Sequence, residues 1–187
     1  MLRDTPVKTA MTFAEFLEFE QHAQEHHEFV DGHLFVVPGG TDRHNFLAVL
    51  LTSFFVQHAL KRGYYTYTDV ILHTPSGRGY YPDIYIVPVS ALRQTRVQYQ
   101  PVIIVEVLSQ STEAIDRSEK WHAYEQIPSL EQYVLLSQNA PVAEVFTRDG
   151  NTWRYEKLEG DATMRFNCLE LEVQLSQLYA QLPPLED

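Results

Sequence analysis

Residues 102–108 read VIIVEVL, and this stretch decides the fold because a nearly continuous apolar run contains one carboxylate, Glu106. A strand that is apolar on both faces belongs in the middle of a sheet whose two faces are covered. An ionised carboxylate buried there without a partner is costly, so Glu106 requires a cation, a hydrogen-bond network or a proton. The alternative is a structural glutamate at the open end of the strand, paired with an arginine.

The segments around this strand predict a mixed sheet flanked by helices, with a β-hairpin extension near the C-terminus. Hydrophobic periodicity predicts helices over about 13–26, 43–62 and 112–126, followed by a short C-terminal helix. Strand patterns lie at about 64–72, 82–88, 102–108, 132–136, 142–147 and 152–158. The pairs Asp31-Gly32 and Asp149-Gly150 predict hairpin turns. The expected fold class is therefore α/β in the broad sense, or α+β.

Length and composition favour one compact domain over residues 1–187. Hydrophobic residues make up 44% of the chain and aromatic residues 12%, which excludes general disorder. No apolar stretch approaches the roughly 20 residues needed to cross a bilayer, and the chain does not start with the hydrophobic run of a secretion signal. We therefore expect a cytoplasmic protein with no membrane partner. The lone Cys168 lies in MRFNCLELEV, which is typical of a half-buried strand, and we expect a structural role for it.

The net charge of −11 argues against a general nucleic-acid binder, because lysine and arginine supply most of the affinity for phosphates. The charge is uneven, however. The segment from Arg43 to Val105 has a balance of +4 and contains seven of the eleven tyrosines. Basic groups interleaved with aromatic rings suit a single-stranded or distorted nucleic acid. The alternative is that these tyrosines belong to half-buried strands.

A second carboxylate, Asp83, follows Pro82 at the start of the predicted strand YPDIYIV. Carboxylates on adjacent strands can converge on one divalent ion, and oxygen ligands of this kind suit Mg²⁺ or Mn²⁺. On the helix after Glu106, polar residues recur at intervals of four and share one face: Asp116, Lys120 and Tyr124. They form either an exposed Asp-Lys pair or an ammonium placed beside the two carboxylates.

Two other groups of polar residues are weaker candidates. Ser109, Ser111 and Thr112 precede this helix and suit its capping, although a phosphate contact at the helix N-terminus is the alternative. His22 and His26 stand four apart on the first predicted helix, but no third ligand for a zinc ion is evident.

The ordered set of these motifs resembles the Uma-type family of proposed restriction endonucleases, in the PD-(D/E)XK nuclease superfamily. The resemblance covers residues 12–147 and rests on HHEFVDGHLF, Arg43-His44, YPDIYIV, VIIVEVLSQST and the three polar helix residues. It implies a restriction-endonuclease-like mixed sheet with added β-hairpins, in which a C-terminal hairpin and short helix occupy about 142–183.

The resemblance also implies roles for individual residues. Asp83 corresponds to the PD aspartate, Glu106 opens the (D/E)XK element, and the backbone carbonyl of Val107 is a further metal ligand. The chain departs from the superfamily pattern at Leu108, where the lysine is expected, and Lys120 is the matching position in the Uma-type variant. The family motifs also include Glu28, as an additional active-site carboxylate, and His44.

Together these features predict a metal-dependent endonuclease that hydrolyses phosphodiester bonds in DNA with Mg²⁺ or Mn²⁺. The negative charge keeps two alternatives open: an inactive nuclease fold used for binding or assembly, and a phosphoesterase that acts on small nucleotides. A homodimer or a basic protein partner is compatible with the charge, although no heptad pattern identifies an interface.

Overall fold

The computed structural model of the chain describes residues 3, 5–92 and 96–183. Arg93, one of the basic residues in the +4 segment, lies outside the described residues. The helices are α1 (Phe13–Glu20), α2 (Asp42–Ala59), α3 (Glu113–Ile115), α4 (Trp121–Tyr124) and α5 (Leu175–Tyr179). The strands are β1 (His27–Val30), β2 (His33–Val36), β3 (Tyr64–Tyr67), β4 (Ile71–His73), β5 (Gly79–Tyr80), β6 (Ile84–Pro88), β7 (Val97–Gln98), β8 (Ile103–Leu108), β9 (Gln132–Ser137), β10 (Val142–Asp149), β11 (Thr152–Glu159), β12 (Thr163–Phe166) and β13 (Leu171–Gln174).

The apolar run at 102–108 forms the central strand β8 of a six-stranded sheet with the order β11-β10-β9-β8-β6-β3. β8 pairs in parallel with β9 and antiparallel with β6. Alternate residues of β8 face opposite sides, so Val105 packs with Leu51 of α2 in one core cluster, whereas Ile104 packs with Tyr124 of α4 in another. The prediction of a mixed sheet flanked by helices is therefore confirmed.

A second sheet has the order β2-β1-β5-β4-β7, and Glu28 of its strand β1 contacts the same lysine, Lys120, as Glu106 of β8. Its first hairpin turns at Asp31-Gly32, as predicted, with φ of +51° and +85°. Positive φ at both central residues is the geometry that this dipeptide favours in a two-residue hairpin. The N-terminal segment joins the sheet edge through an antiparallel bridge between Lys8 and Leu34.

The first predicted helix ends at Glu20 rather than near residue 26. The Glu20 carboxylate accepts hydrogen bonds from the backbone N–H of His27 at 2.9 Å and lies 3.0 Å from the His27 ring. These contacts tie the end of α1 to the first residue of β1. His22 and His26 therefore do not share a helix face, and the premise of the zinc alternative is wrong.

The predicted strand at 64–72 is divided into β3 and β4 because the chain changes sheets between them. Asp69 stands at this crossing with φ of +60°, a conformation that aspartate tolerates better than most residues.

The prediction that Cys168 lies in a strand is also wrong, since residues Asn167–Leu169 form a 3-10 turn between β12 and β13. Burial of that turn raises the pKa of Cys168 to about 11.

No helix in the described part of the chain has both the length and the apolar character that crossing a bilayer requires.

Candidate active site

Asp83 and Glu106 meet where the ladder between β6 and β8 stops. The last pair in that ladder is Ile84 with Val105. Beyond it, the backbone N–H of Val107 donates to Asp83 Oδ2 at 2.7 Å, and the N–H of Asp83 donates to Glu106 Oε2 at 3.3 Å. The side chains thus replace the missing backbone partners, and this exchange holds the two carboxylates beside each other.

Glu106 is 2% exposed and lies on the face of the sheet that α4 covers. Its Oε1 accepts hydrogen bonds from Lys120 Nζ at 3.1 Å and from the Tyr124 hydroxyl at 3.0 Å. Burial raises the pKa of Glu106 well above its usual value, and neighbouring carboxylates raise it further against the opposing charge of Lys120. The alternative of a glutamate paired with an arginine at an open strand end is wrong.

A π-helical turn at Asp116–Lys120 links α3 to α4 and points its first and last side chains inward. Such turns occur often at functional sites. Lys120 Nζ lies 3.0 Å from Asp116 Oδ1, in an ion pair without hydrogen-bond alignment, and 3.3 Å from Glu28 Oε1. Asp116 and Lys120 are 1% and 5% exposed, so the alternative of an exposed pair is wrong.

The electrostatics of Lys120 follow from these neighbours. Burial by itself would lower the pKa of the ammonium, but the charges of Asp116, Glu106 and Glu28 outweigh it and raise that pKa well above its usual value. Lys120 is therefore a permanent cation in contact with three carboxylates. Leu108, at the superfamily's usual lysine position, is 6% exposed and packs in the core cluster that contains Tyr124.

Arg3 also belongs to this group of charged residues, and the sequence did not indicate it. Its guanidinium donates to Glu119 with Nε at 2.9 and 3.0 Å from the two carboxylate oxygens, and it lies 2.8 Å from Glu28 Oε2. The guanidinium carbon also lies 4.9 Å from the centre of the Phe35 ring. Arg3 and Glu119 are 116 positions apart, and no spacing rule connects residues at that distance.

His44 and Ser109 flank the carboxylates. His44 Nε2 lies 3.2 Å from Asp83 Oδ1; burial would lower the pKa of His44, but the hydrogen bond and charge of Asp83 raise it. Ser109 Oγ accepts a hydrogen bond from the Thr112 N–H at 3.2 Å in the turn before α3, but the N-cap residue Thr112 makes no side-chain capping bond, so the capping prediction is not confirmed. Ser109 also lines a cavity of about 210 Å³, here called the catalytic cavity, together with Arg3, Glu28, His44, Tyr81, Asp83, Glu106 and Lys120.

The charges in this cavity are unbalanced. Five carboxylates lie around the two cations Arg3 and Lys120, which leaves a formal charge of −3 when every carboxylate is ionised and His44 is neutral: Glu28, Asp83, Glu106, Asp116 and Glu119. Oxygen donors with excess negative charge fit a hard divalent ion. Within the described residues, no group of three or more His, Cys, Asp or Glu side chains is arranged to hold a metal ion. A metal here therefore depends on the two-carboxylate set with a backbone carbonyl.

The basic residues of the +4 segment are largely engaged elsewhere. Arg78 pairs with Asp31 at 2.7 Å, and Arg43 donates to the carbonyl of Gln138 at 2.7 Å. Among the tyrosines of that segment, Tyr80 and Tyr85 are fully buried, whereas Tyr65 and Tyr99 are 41% and 37% exposed. The two cations of the catalytic cavity, Arg3 and Lys120, lie outside the +4 segment.

Comparison with known proteins gives a consistent family and fold. The sequence model of the Uma2 family, described as "Putative restriction endonuclease", matches residues 13–178. Two uncharacterized proteins of Synechocystis sp. are similar to this chain. One is 27% identical over 173 residues, which is 90% of this chain and 90% of the relative. The other is 28% identical over 168 residues, which is 86% of this chain and 95% of the relative.

Among solved structures, the fold resembles a crystal structure from Anabaena variabilis described as "a putative nuclease belonging to DUF820". The TM-score is 0.78 with 14% sequence identity, and the match covers 91% of this chain and 98% of the other. This similarity confirms the prediction of a nuclease-like mixed α+β fold.

Proposed function

The chain belongs to the Uma2 family, and on this premise we propose that it is a metal-dependent endonuclease that hydrolyses phosphodiester bonds in DNA. The observation that supports the proposal best is the contact of one buried ammonium, Lys120, with Glu28, Glu106 and Asp116 at 3.0 to 3.3 Å. Burying so many like charges is costly unless a further cation balances them. A divalent ion is that cation in the proposal.

Asp83, Glu106 and the backbone carbonyl of Val107 would hold Mg²⁺ or Mn²⁺. When bound, the metal supplies a Lewis acid and lowers the pKa of a coordinated water. Asp83 and Glu106 are already oriented by their exchange of backbone hydrogen bonds, so little reorganisation precedes binding. His44 steadies the second oxygen of Asp83.

Lys120 acts on the substrate side of the site. Its ammonium orients the attacking water and stabilises the charge that develops on the phosphate. Asp116 and Glu28 fix the direction of that ammonium, and the Tyr124 hydroxyl fixes the Glu106 oxygen that it shares with Lys120. These residues therefore form one positioned unit rather than separate contributors.

The test is cleavage of single-stranded, duplex and branched DNA with Mg²⁺ or Mn²⁺. Wild type is compared with Asp83→Asn, Glu106→Gln and Lys120→Ala, and with Glu172→Gln as a control at an exposed glutamate of β13. Activity in the control but not in the three site variants supports the proposal. Equal activity in all of them sinks the assignment of residues.

The two alternatives give different results in the same set of assays. A binding or assembly module binds nucleic acid or protein without turnover, and calorimetric titration with Mn²⁺ gives no heat that depends on Asp83 and Glu106. A phosphoesterase for small nucleotides hydrolyses mononucleotide esters and leaves polymeric DNA intact. A substrate panel that includes both classes separates the three functions.

A further inference from the structure

A larger cavity lies beside the catalytic cavity, and we call it the side pocket. Its volume is about 890 Å³, and α1, β4 and the end of β3 contribute to its walls. These walls combine apolar and aromatic residues, among them Leu17, Tyr67, Ile71 and Tyr81, with the charged residues Glu20, Asp69 and Arg96. None of the roles proposed above involves this pocket.

Tyr81 connects the side pocket to the catalytic cavity because its side chain lines both. Asp83 follows two residues later, and two residues span at most about 7 Å even in extended chain. An open groove of about 740 Å³ shares His26 and Tyr81 with the side pocket, and it shares His44 and Asp83 with the catalytic cavity. A phosphate bound through a metal ion at Asp83 would therefore place its attached nucleoside near Tyr81 and the side pocket.

The Tyr81 ring is held firmly in this wall. The His26 ring stacks on it with centroids 4.4 Å apart and an angle of 25° between the planes. Glu20, whose side chain is 5% exposed, accepts a hydrogen bond from the Tyr81 hydroxyl at 3.0 Å and lies 3.2 Å from His26 Nδ1. His26 Nε2 lies 2.7 Å from Asp69. The buried Glu20 thus fixes both rings at the junction.

We propose that the side pocket binds a nucleobase next to the scissile phosphate, so that the substrate is single-stranded or locally unpaired DNA. This inference rests on the proposed function and specifies its substrate class. A base inside a duplex is paired and stacked, and enzymes that hold a base in a pocket use single strands or extrude the base. Aromatic rings stack on any base, because every base has a π-face. The apolar part of the walls suits a base, whereas a phosphate would be held through the divalent ion proposed at Asp83 and Glu106.

The experiment titrates the protein with 2-aminopurine deoxynucleoside, whose fluorescence is quenched on stacking, in the presence of EDTA. Wild type is expected to give saturable quenching. Leu17→Trp narrows the pocket with a larger side chain and Tyr81→Leu removes the aromatic ring at the junction, so each variant is expected to bind at least about tenfold more weakly. Tyr81→Phe keeps the ring and retains binding. Tyr155→Leu is the matched control, because Tyr155 is an exposed tyrosine of β11 that does not line the pocket.

Tyr81→Leu also removes a partner of the buried Glu20, so its fold is checked by thermal unfolding. Leu17→Trp leaves the Glu20 contacts intact and keeps the test decisive if Tyr81→Leu unfolds. Unsaturable quenching by wild type, or equal binding by wild type and Leu17→Trp, overturns the inference. The assay needs neither metal nor cleavage. A protein that cuts DNA but fails this assay contradicts the side pocket alone, and one that binds the nucleoside but does not cut contradicts the endonuclease.

Discussion

Asp83 and Glu106 are joined by an exchange of backbone hydrogen bonds, in which each carboxylate accepts an N–H from the other strand at the point where the β6–β8 ladder ends. If the ladder continued regularly through this position, backbone groups would bond to each other, and neither carboxylate would accept an N–H from the opposite segment. The two carboxylates are therefore brought together because the pairing of β6 with β8 ends early. Pro82, just before Asp83, is consistent with this early end because proline lacks the N–H that a ladder needs.

Glu106→Gln is expected to lower DNA cleavage by about 100-fold or more, because the neutral amide loses a metal-binding charge. The same change is expected to leave the melting temperature unchanged or raise it. Burial and the nearby carboxylates disfavour the ionised form, as the raised pKa of Glu106 indicates. Cleavage rates and thermal unfolding in EDTA measure the two effects. A strongly lowered melting temperature for Glu106→Gln would contradict the expectation that burying the Glu106 charge is unfavourable.

Lys120→Met is expected to destabilise the fold by about 3–5 kcal/mol, because three buried carboxylates then lose their shared cation. Urea unfolding measures the change. Lys157→Met is the control, since that lysine is exposed on β11 and pairs with an exposed glutamate. Equal unfolding free energies for the two variants would show that Lys120 does not balance the cluster.

Mn²⁺ is expected to stabilise the wild-type protein against heat. At a free concentration about 100 times the dissociation constant, linkage gives about 2.7 kcal/mol, or a melting temperature about 5–10 °C higher for a chain of this size. Asp83→Asn and Glu106→Gln should lose this shift, and EDTA should reverse it in wild type. An equal shift in Asp83→Asn would place the bound ion elsewhere.

Arg3→Gln is expected to destabilise the protein by about 1–3 kcal/mol, because it leaves Glu28 and Glu119 without their guanidinium in a partly buried place. Arg78→Gln removes a similar bidentate pair with Asp31 at the exposed hairpin turn, and should cost about 1 kcal/mol or less. Urea unfolding compares the two variants. Equal losses of unfolding free energy in the two variants would mean that the enclosed position of Arg3 adds nothing to its effect on stability.

The contribution of Arg3 to the free energy of unfolding should also depend on pH. Burial by itself would raise the pKa of Glu119, but the hydrogen bond and charge of Arg3 lower it below the usual value. A carboxyl whose pKa is lower in the folded state stabilises the fold above its unfolded pKa and loses that effect as the pH falls through its folded pKa. The difference in stability between wild type and Arg3→Gln should therefore shrink on acidification below about pH 4. A difference that is constant with pH would exclude the Glu119 pair as its source.

The sequence alone was sufficient where a signal is local. VIIVEVL predicted the central strand and its buried carboxylate, and Asp31-Gly32 predicted the hairpin that carries Glu28. These features depend on side-chain burial and turn geometry within a few residues, so they can be read without a fold.

The tertiary structure decided what depends on distant residues. Whether Asp116 and Lys120 were an exposed pair or part of the site could not be read from a spacing of four, since α-helical periodicity fits both, and the π turn with its covering elements settled their burial. Arg3 had no signal in the sequence, and Tyr81 was one of seven tyrosines in the +4 segment with nothing to single it out. Their environment comes from residues tens to more than a hundred positions away, and sequence periodicity carries no information about contacts at such separations.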